Sequence, residues 1–244
     1  MTSPRTALVT GASRGIGAAI AERLARDGFA IVINYAGNTA AAEETKKKIE
    51  AAGGRAALAK GDVADPAAVR AMFDIAEKEF GGVDVLVNNA GVFEVTPLKD
   101  ASDELFDRHF AVNVKGTFNA LREAATRLRP NGRIVNFSTS VVGLKPENYS
   151  VYAATKAAVE TMTAIFAKEL RGTGTTVNSV APGPTATDLF FNGKSLELID
   201  RLAKLSPMER LGTPEEIAAV VSFLCGPDGG WINGQTIRAN GGMI

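Results

Sequence analysis

The sequence predicts an α/β protein: one doubly wound parallel sheet of about seven strands, flanked by helices on both faces. Three observations carry that expectation. Short, almost continuously apolar runs recur from end to end of the 244-residue chain. Longer segments of helical periodicity alternate with them. No Ser/Gly linker, internal repeat or break in composition divides the chain, so residues 1–244 are expected to form a single domain.

The strands are expected at 7–9, 30–34, 56–59, 83–88, 133–138, 176–180 and 236–238. Helices are expected at 16–27, 39–52, 66–80, 103–128, 151–171 and 214–225. Asp27-Gly28, Gly53-Gly54 and Gly81-Gly82 supply stops, because glycine takes the left-handed conformation that ends a helix. Asp65-Pro66 and Thr213-Pro214 supply starts, a side-chain acceptor followed by a proline with no amide to lose. The rhythm fails at 184–207, where Leu189, Phe190, Phe191, Leu196, Leu198 and Ile199 occupy a long connection. So apolar a connection reads as a substrate lid.

Composition excludes several classes. Twenty-seven basic residues balance 27 acidic ones, which leaves no field to attract nucleic acid or an anionic membrane. One cysteine and one histidine permit no internal disulfide and argue against a metal site, and Cys225 and His109 read as structural. Met1–Arg5 is too short for a leader before the first strand, and no apolar stretch is long enough to span a bilayer. A cytoplasmic location is expected.

The first strand runs into Thr10-Gly11-Ala12-Ser13-Arg14-Gly15-Ile16-Gly17, which opens the first helix. Glycines let the backbone approach a pyrophosphate, and the helix N-terminus offers amide donors to it. In a first strand–helix unit this marks a Rossmann-type dinucleotide site. An NAD site usually ends its second strand on an acid that holds the ribose hydroxyls. Here that strand ends Ile33-Asn34-Tyr35, and the next acid is Glu43 inside a helix. Nothing repels a 2′-phosphate and Arg14 can neutralise one, so NADP(H) is the expected cofactor.

Tyr152-Ala153-Ala154-Thr155-Lys156 puts a phenol and an ammonium on one helix face. A free phenol titrates near pH 10, and a neighbouring cation is expected to bring it toward neutrality for acid/base work. An outward-facing Tyr and Lys on an amphipathic helix would give the same spacing.

The wider pattern distinguishes the two. Thr10-Gly11-x-x-x-Gly15-x-Gly17, Asp62-Val63, Asn88-Asn89-Ala90-Gly91, Asn113, Ser140, Tyr152-x-x-x-Lys156 and Pro182-Gly183-x-x-x-Thr187 occur in order, with Asn240-Gly241-Gly242 near the end. Over essentially its whole length the chain resembles the short-chain dehydrogenase/reductase family, in the branch of about 250 residues. The resemblance implies a hydride-transferring oxidoreductase of the carbonyl/alcohol class. Tyr152 is then the general acid/base and Lys156 its pKa modulator and ribose contact. Asn113 supports a water relay to Lys156, and Ser140 hydrogen-bonds the reacting oxygen. Ser140 precedes Val141-Val142-Gly143, as the family pattern asks, but its 12-residue step to Tyr152 is one shorter than many members show. Ser138, on the same face by strand alternation, is the alternative. Cofactor contacts are expected at Gly11, Ser13, Arg14, Gly15, Ile16, Gly17, Asn34, Asp62, Val63, Asn89, Ala90, Gly91, Pro182, Gly183, Thr185 and Thr187, with Tyr152 and Lys156.

The substrate pocket is expected to be apolar, walled by Phe93, Leu144, Tyr149, Phe190 and Phe191. A free ketone or other carbonyl compound suits it. The resemblance also covers 3-oxoacyl carrier-protein reductases, whose members present arginines where this chain has Asn131 and Thr173, with Arg129 and Arg171 two residues away. A sugar or polyol dehydrogenase and a non-catalytic NADP-binding regulator are further alternatives. The family commonly forms homotetramers, or dimers, through the helices at 103–128 and 151–171, and the C-terminal tail is expected to reach a neighbour.

Overall fold

The computed structural model describes residues 4–244, so Met1–Ser3 of the segment read as too short for a leader lie outside the described residues. The strands are β1 (Thr6–Val9), β2 (Ala30–Tyr35), β3 (Arg55–Lys60), β4 (Val83–Asn88), β5 (Leu128–Phe137), β6 (Thr176–Pro182) and β7 (Thr236–Ala239). Among the described residues these seven make one sheet in the order β3-β2-β1-β4-β5-β6-β7, with every neighbouring pair parallel. This is the doubly wound, Rossmann-type arrangement.

The continuous apolar runs follow from burial on both faces. Ala7, Val9, Ile31, Ile33, Val85 and Val87 join one core with Ile20 and Leu24 of α1 (Gly15–Arg26), and it also takes in Ile217 and Val221, from the chain's last helix. Leu8, Val32 and Leu86 point the other way and pack with Val69 and Phe73 of α3 (Pro66–Phe80). Each such side chain contributes roughly 1.5–3 kcal/mol. Between α1 and α3 lies α2 (Thr39–Ala51), capped by the Asn38 side chain on the Ala41 amide. Gly28, Gly53 and Gly81 take φ of +93°, +84° and +83°, the left-handed stops the sequence signalled.

Two elements depart from expectation. The helix expected at 103–128 is α4 (Asp103–His109), a π-helical turn at Phe110–Lys115, and α5 (Gly116–Arg127). β5 begins at Leu128, five residues earlier than 133, with an irregular register against β4 and Asn131 at φ +62°. It stops at Phe137, and Ser140 then caps a single turn, α6 (Val141–Leu144).

The tyrosine-bearing helix is α7 (Ser150–Glu169). The segment 184–207 carries two short helices, α8 (Asp188–Phe191) and α9 (Leu196–Ala203), and Ser206 Oγ ties its end to the Gly241 carbonyl at 2.8 Å. The last helix, α10 (Pro214–Cys225), starts with a reciprocal Thr213–Glu216 capping box. Ile244 lies against Gly143 of its own chain and is 38% exposed. Among the described residues no helix is long and apolar enough to cross a membrane, and no cluster of His, Cys, Asp or Glu is arranged for a metal ion. Burial pushes the Cys225 thiol up to about 12, which leaves it chemically inert.

Candidate active site

Strand order reverses at β1 and β4, and a crevice opens beyond the carboxyl ends of such strands. The glycine loop lies there. Gly11 has φ +63°, and a Cβ on it would sit 2.9 Å from the Ala90 Cα; Gly15 has φ +55°. Both conformations favour glycine. Arg14 is exposed and occupies the N-cap of α1, but its side chain caps nothing. The first-turn amides of α1 thus have no side-chain cap, and the positive end of the helix dipole lies beside a guanidinium with no hydrogen-bond partner among the described residues. This set of donors fits a dinucleotide that carries an additional phosphate.

The loop is braced from β4. Asn89 Nδ2 donates to the Thr10 and Gly11 carbonyls at 2.9 and 3.1 Å, and the Asn89 and Ala90 amides donate to Thr10 Oγ1, both at 3.0 Å. Ser13 accepts from Thr45, and Ile16 packs against the core. Val63 lies under Gly116, with its carbonyl held by Asn119 Nδ2 at 2.9 Å, while Asp62 accepts from the Ala64 amide. Across the crevice, Gly183 donates to the Ala239 carbonyl, following Pro182 at the end of β6, and Thr185 Oγ1 donates to the Gly183 carbonyl. Thr187 caps α8 and stands nearest to Gly15, so the segment 184–207 begins beside the glycine loop.

Asn34 requires correction. It was expected among the cofactor contacts, but it is 1% exposed and wholly engaged within the protein. Its Oδ1 accepts from the Gly11 amide, and its Nδ2 donates to the Ala59 and Gly61 carbonyls. It stitches the glycine loop to β2 and β3 and has no donor left for a nucleotide.

Tyr152 and Lys156 share the inner face of α7, and the Lys156 ammonium donates to the Phe137 carbonyl at 2.9 Å. Asn113, buried in the π-helical turn, pins Val92 by both main-chain groups and donates to Thr155 Oγ1 at 3.1 Å. A Cβ on Gly91 would lie 3.2 Å from Asn113 Oδ1 and 3.5 Å from Lys156 Nζ, so this glycine leaves the two side chains room beside the crevice. The extra residue of a π turn re-aims side chains, as is common at functional sites.

The titration of the pair differs from expectation. Burial pushes the Tyr152 phenol up to about 12 and pulls the Lys156 ammonium down to about 8. For the phenol, desolvation outweighs the Thr139 hydrogen bond that favours the phenolate. At neutral pH the phenol holds its proton and the lysine keeps its charge. Ser140 also differs: its Oγ, 2% exposed, donates to the Ala181 carbonyl and accepts from Asn240 Nδ2.

The surroundings of the Tyr152 ring are aromatic. The Phe93 ring meets Tyr152 edge-on at 4.9 Å and Tyr149 at 5.8 Å. Phe190 of α8 packs edge-on to Phe191 at 5.6 Å, while Phe191 and Leu144 are 42% and 38% exposed. Two further groups stand here: Lys194, which the sequence did not mark, and His109, expected to be structural. Lys194 donates to the Phe190 carbonyl at 2.6 Å and holds its ammonium over the Phe190 and Phe93 rings, at 4.8 and 5.6 Å. His109, fully hydrogen-bonded between the Glu94 amide and the Leu105 carbonyl, backs the Tyr152 ring. Neither carries a local motif, and only the fold brings them to the site.

Comparisons with known proteins agree with this geometry. A family model described as enoyl-(acyl carrier protein) reductase, a short-chain dehydrogenase/reductase model, matches residues 11–244. A short-chain type dehydrogenase/reductase of Picea abies is 48% identical over 250 residues, covering 98% of this chain and 92% of the relative. An NADPH-dependent aldehyde reductase-like protein of Arabidopsis thaliana, described as chloroplastic, is 46% identical, covering 98% and 94%. A crystal structure of a short-chain dehydrogenase from Burkholderia cenocepacia J2315, in complex with NADP, superposes with a TM-score of 0.93 at 40% identity, covering 98% and 97%.

Proposed function

The chain belongs to the short-chain dehydrogenase/reductase family, and from that premise we propose that its substrate is a free ketone or aldehyde with an apolar or aryl substituent. The enzyme is an NADP-dependent oxidoreductase that reduces carbonyl groups. The aromatic wall around the Tyr152 phenol carries the substrate proposal: the Phe93, Tyr149 and Phe190 rings border the phenol with largely apolar surface. A carrier-protein thioester fits less well. Arg129 is engaged with Asp84 at 3.0 Å and is not free to dock an acidic carrier, and Asn131 and Thr173 bond to each other through their main chains.

Bound NADPH supplies the hydride that the carbonyl carbon receives. Tyr152 gives its proton to the carbonyl oxygen as negative charge develops there. Lys156 holds its positive charge beside the crevice, favouring the phenolate that Tyr152 becomes and offering donors to the nicotinamide ribose. Asn113 fixes the Val92 backbone beside Phe93 and supports the water path by which Tyr152 recovers a proton through Lys156. The glycine loop, Arg14, Thr185 and Thr187 hold the cofactor, and 184–207 closes over it as a lid. We place the protein in the cytoplasm as a homotetramer, a reading supported by the buried reduced Cys225 and by Phe118 and Ile165, which are exposed on α5 and α7.

Ketones, aldehydes, β-ketoesters, sugars and an acyl carrier thioester, each assayed with NADPH by loss of nicotinamide absorbance, test the proposal. Turnover of free apolar carbonyls at the highest kcat/KM is expected. Activity confined to the thioester or to sugars would overturn it, and no turnover with intact NADPH binding would favour a regulatory role. The pH profile follows from the buried pair. Lys156 is charged below about 8 and neutral above it, while Tyr152 stays protonated throughout. For reduction, kcat/KM should be level at neutral pH and decline as pH rises through about 8. A level profile well beyond that pH would remove Lys156's charge from the mechanism.

A further inference from the structure

We propose that the hydroxyl which holds the substrate's carbonyl oxygen beside Tyr152 belongs to Thr139, and to neither of the serines that flank it. The inference rests on the carbonyl-reductase reading. Ser138, Thr139 and Ser140 leave the end of β5 together, and the structure gives each hydroxyl a different task.

Ser138 Oγ donates to Glu160 Oε1 at 2.5 Å, and its amide continues the ladder to the Val180 carbonyl. Its single proton is committed to a carboxylate on α7. Ser140 keeps strand-like pairing through its amide to the Pro182 carbonyl, but its φ and ψ of −60° and −20° already belong to the turn of α6. Its Oγ gives its proton to the Ala181 carbonyl at 3.2 Å and accepts from Asn240 Nδ2 at 2.9 Å. A hydroxyl has one proton, so neither serine can also donate to a substrate.

Thr139 remains. It is partly exposed where both serines are buried. Its Oγ1 accepts from the Val141 amide at 3.3 Å, which orients the oxygen without using its proton, and the hydroxyl faces the Tyr152 phenol. A carbonyl oxygen placed before Tyr152 then receives two donors, the phenol and the threonine. β-Branching restricts the rotamers open to this hydroxyl. Donors aimed in advance at developing oxyanion charge are worth about 10²–10³-fold in kcat.

Thr139→Val, Thr139→Ala, Thr139→Ser, Ser138→Ala and Ser140→Ala are to be compared for kcat on the best carbonyl of the panel, for NADPH affinity by fluorescence, and for melting temperature. T139V and T139A should lose about 10²-fold in kcat at near-native NADPH affinity, and T139S should recover to within about tenfold of wild type. S140A should lose less kcat than either and more melting temperature, because it breaks the tie to Asn240. The proposal fails if T139V and T139A keep more than a tenth of wild-type kcat, if T139S is as slow as they are, or if S138A or S140A is slower still. Tyr152→Phe run on the same substrate separates the two readings. A fully active Y152F removes the carbonyl-reductase mechanism itself, whereas an inactive Y152F beside an active T139V removes Thr139 alone.

Discussion

Tyr152→Phe is expected to lower kcat by roughly 10²–10⁴-fold, the range for removing a positioned general acid, while NADPH affinity stays within a few-fold. The substitution deletes one oxygen and leaves the ring. Phe93 and His109 pack against that ring, at centroid distances of 4.9 and 6.3 Å, so the aromatic wall keeps its shape. Thr155 Oγ1 bonds to the main-chain carbonyl of residue 152, so the Asn113–Thr155 link also survives. The loss therefore isolates the proton. Because the wild-type phenol is pushed up to about 12, it enters each reduction cycle protonated at any physiological pH. Steady-state kinetics with a fluorescence titration of NADPH decide the matter. A Y152F enzyme with near-native kcat would mean that another group or a water donates the proton.

The site was legible where a local rule and the fold ask for the same residue. The strands carry apolar side chains on both faces, because helices cover both, and they read clearly. Gly28, Gly53 and Gly81 stop helices in the left-handed conformation that almost only glycine tolerates. Tyr152 and Lys156 share a helix face because four residues make about one helical turn. What failed depended on long-range partners. A polar residue closing an apolar strand reads equally as a ligand contact or an internal tie, and only its three hydrogen bonds show Asn34 to be a tie. β5 starts early through Leu128-Arg129-Pro130, which has no strand pattern and is held by pairing with Val83. Strand alternation placed Ser138 and Ser140 on one face, but the strand ends at Phe137, and beyond it the backbone turn sets direction. One signal was present: the step from Ser140 to Tyr152 is one residue shorter than many relatives show, and Thr139 supplies that residue.

Lys156→Met should lower kcat by roughly 10²–10³-fold and weaken NADPH binding, yet yield a protein at least as stable as wild type near neutral pH. Two properties of one ammonium make the opposed effects. For catalysis, its charge stands beside the crevice with a single protein partner, the Phe137 carbonyl, among the described residues. Its other protons are available to a ribose. For stability, burial makes that charge costly. The folded-state pKa, about 8, lies below the ordinary 10.5, so between those values the unfolded chain binds more protons than the folded one. Wild-type stability should therefore rise with pH across that window, by an amount on the order of 3 kcal/mol for a single group. Methionine preserves the stem and much of the volume and removes the charge, so K156M should lose this rise while melting no lower at neutral pH. Parallel melts and kinetics across the alkaline range give both readouts. A variant that is slow and melts early would have lost its fold along with its charge. One that is stable and slow shows that this lysine's burial is a cost the fold bears for the reaction.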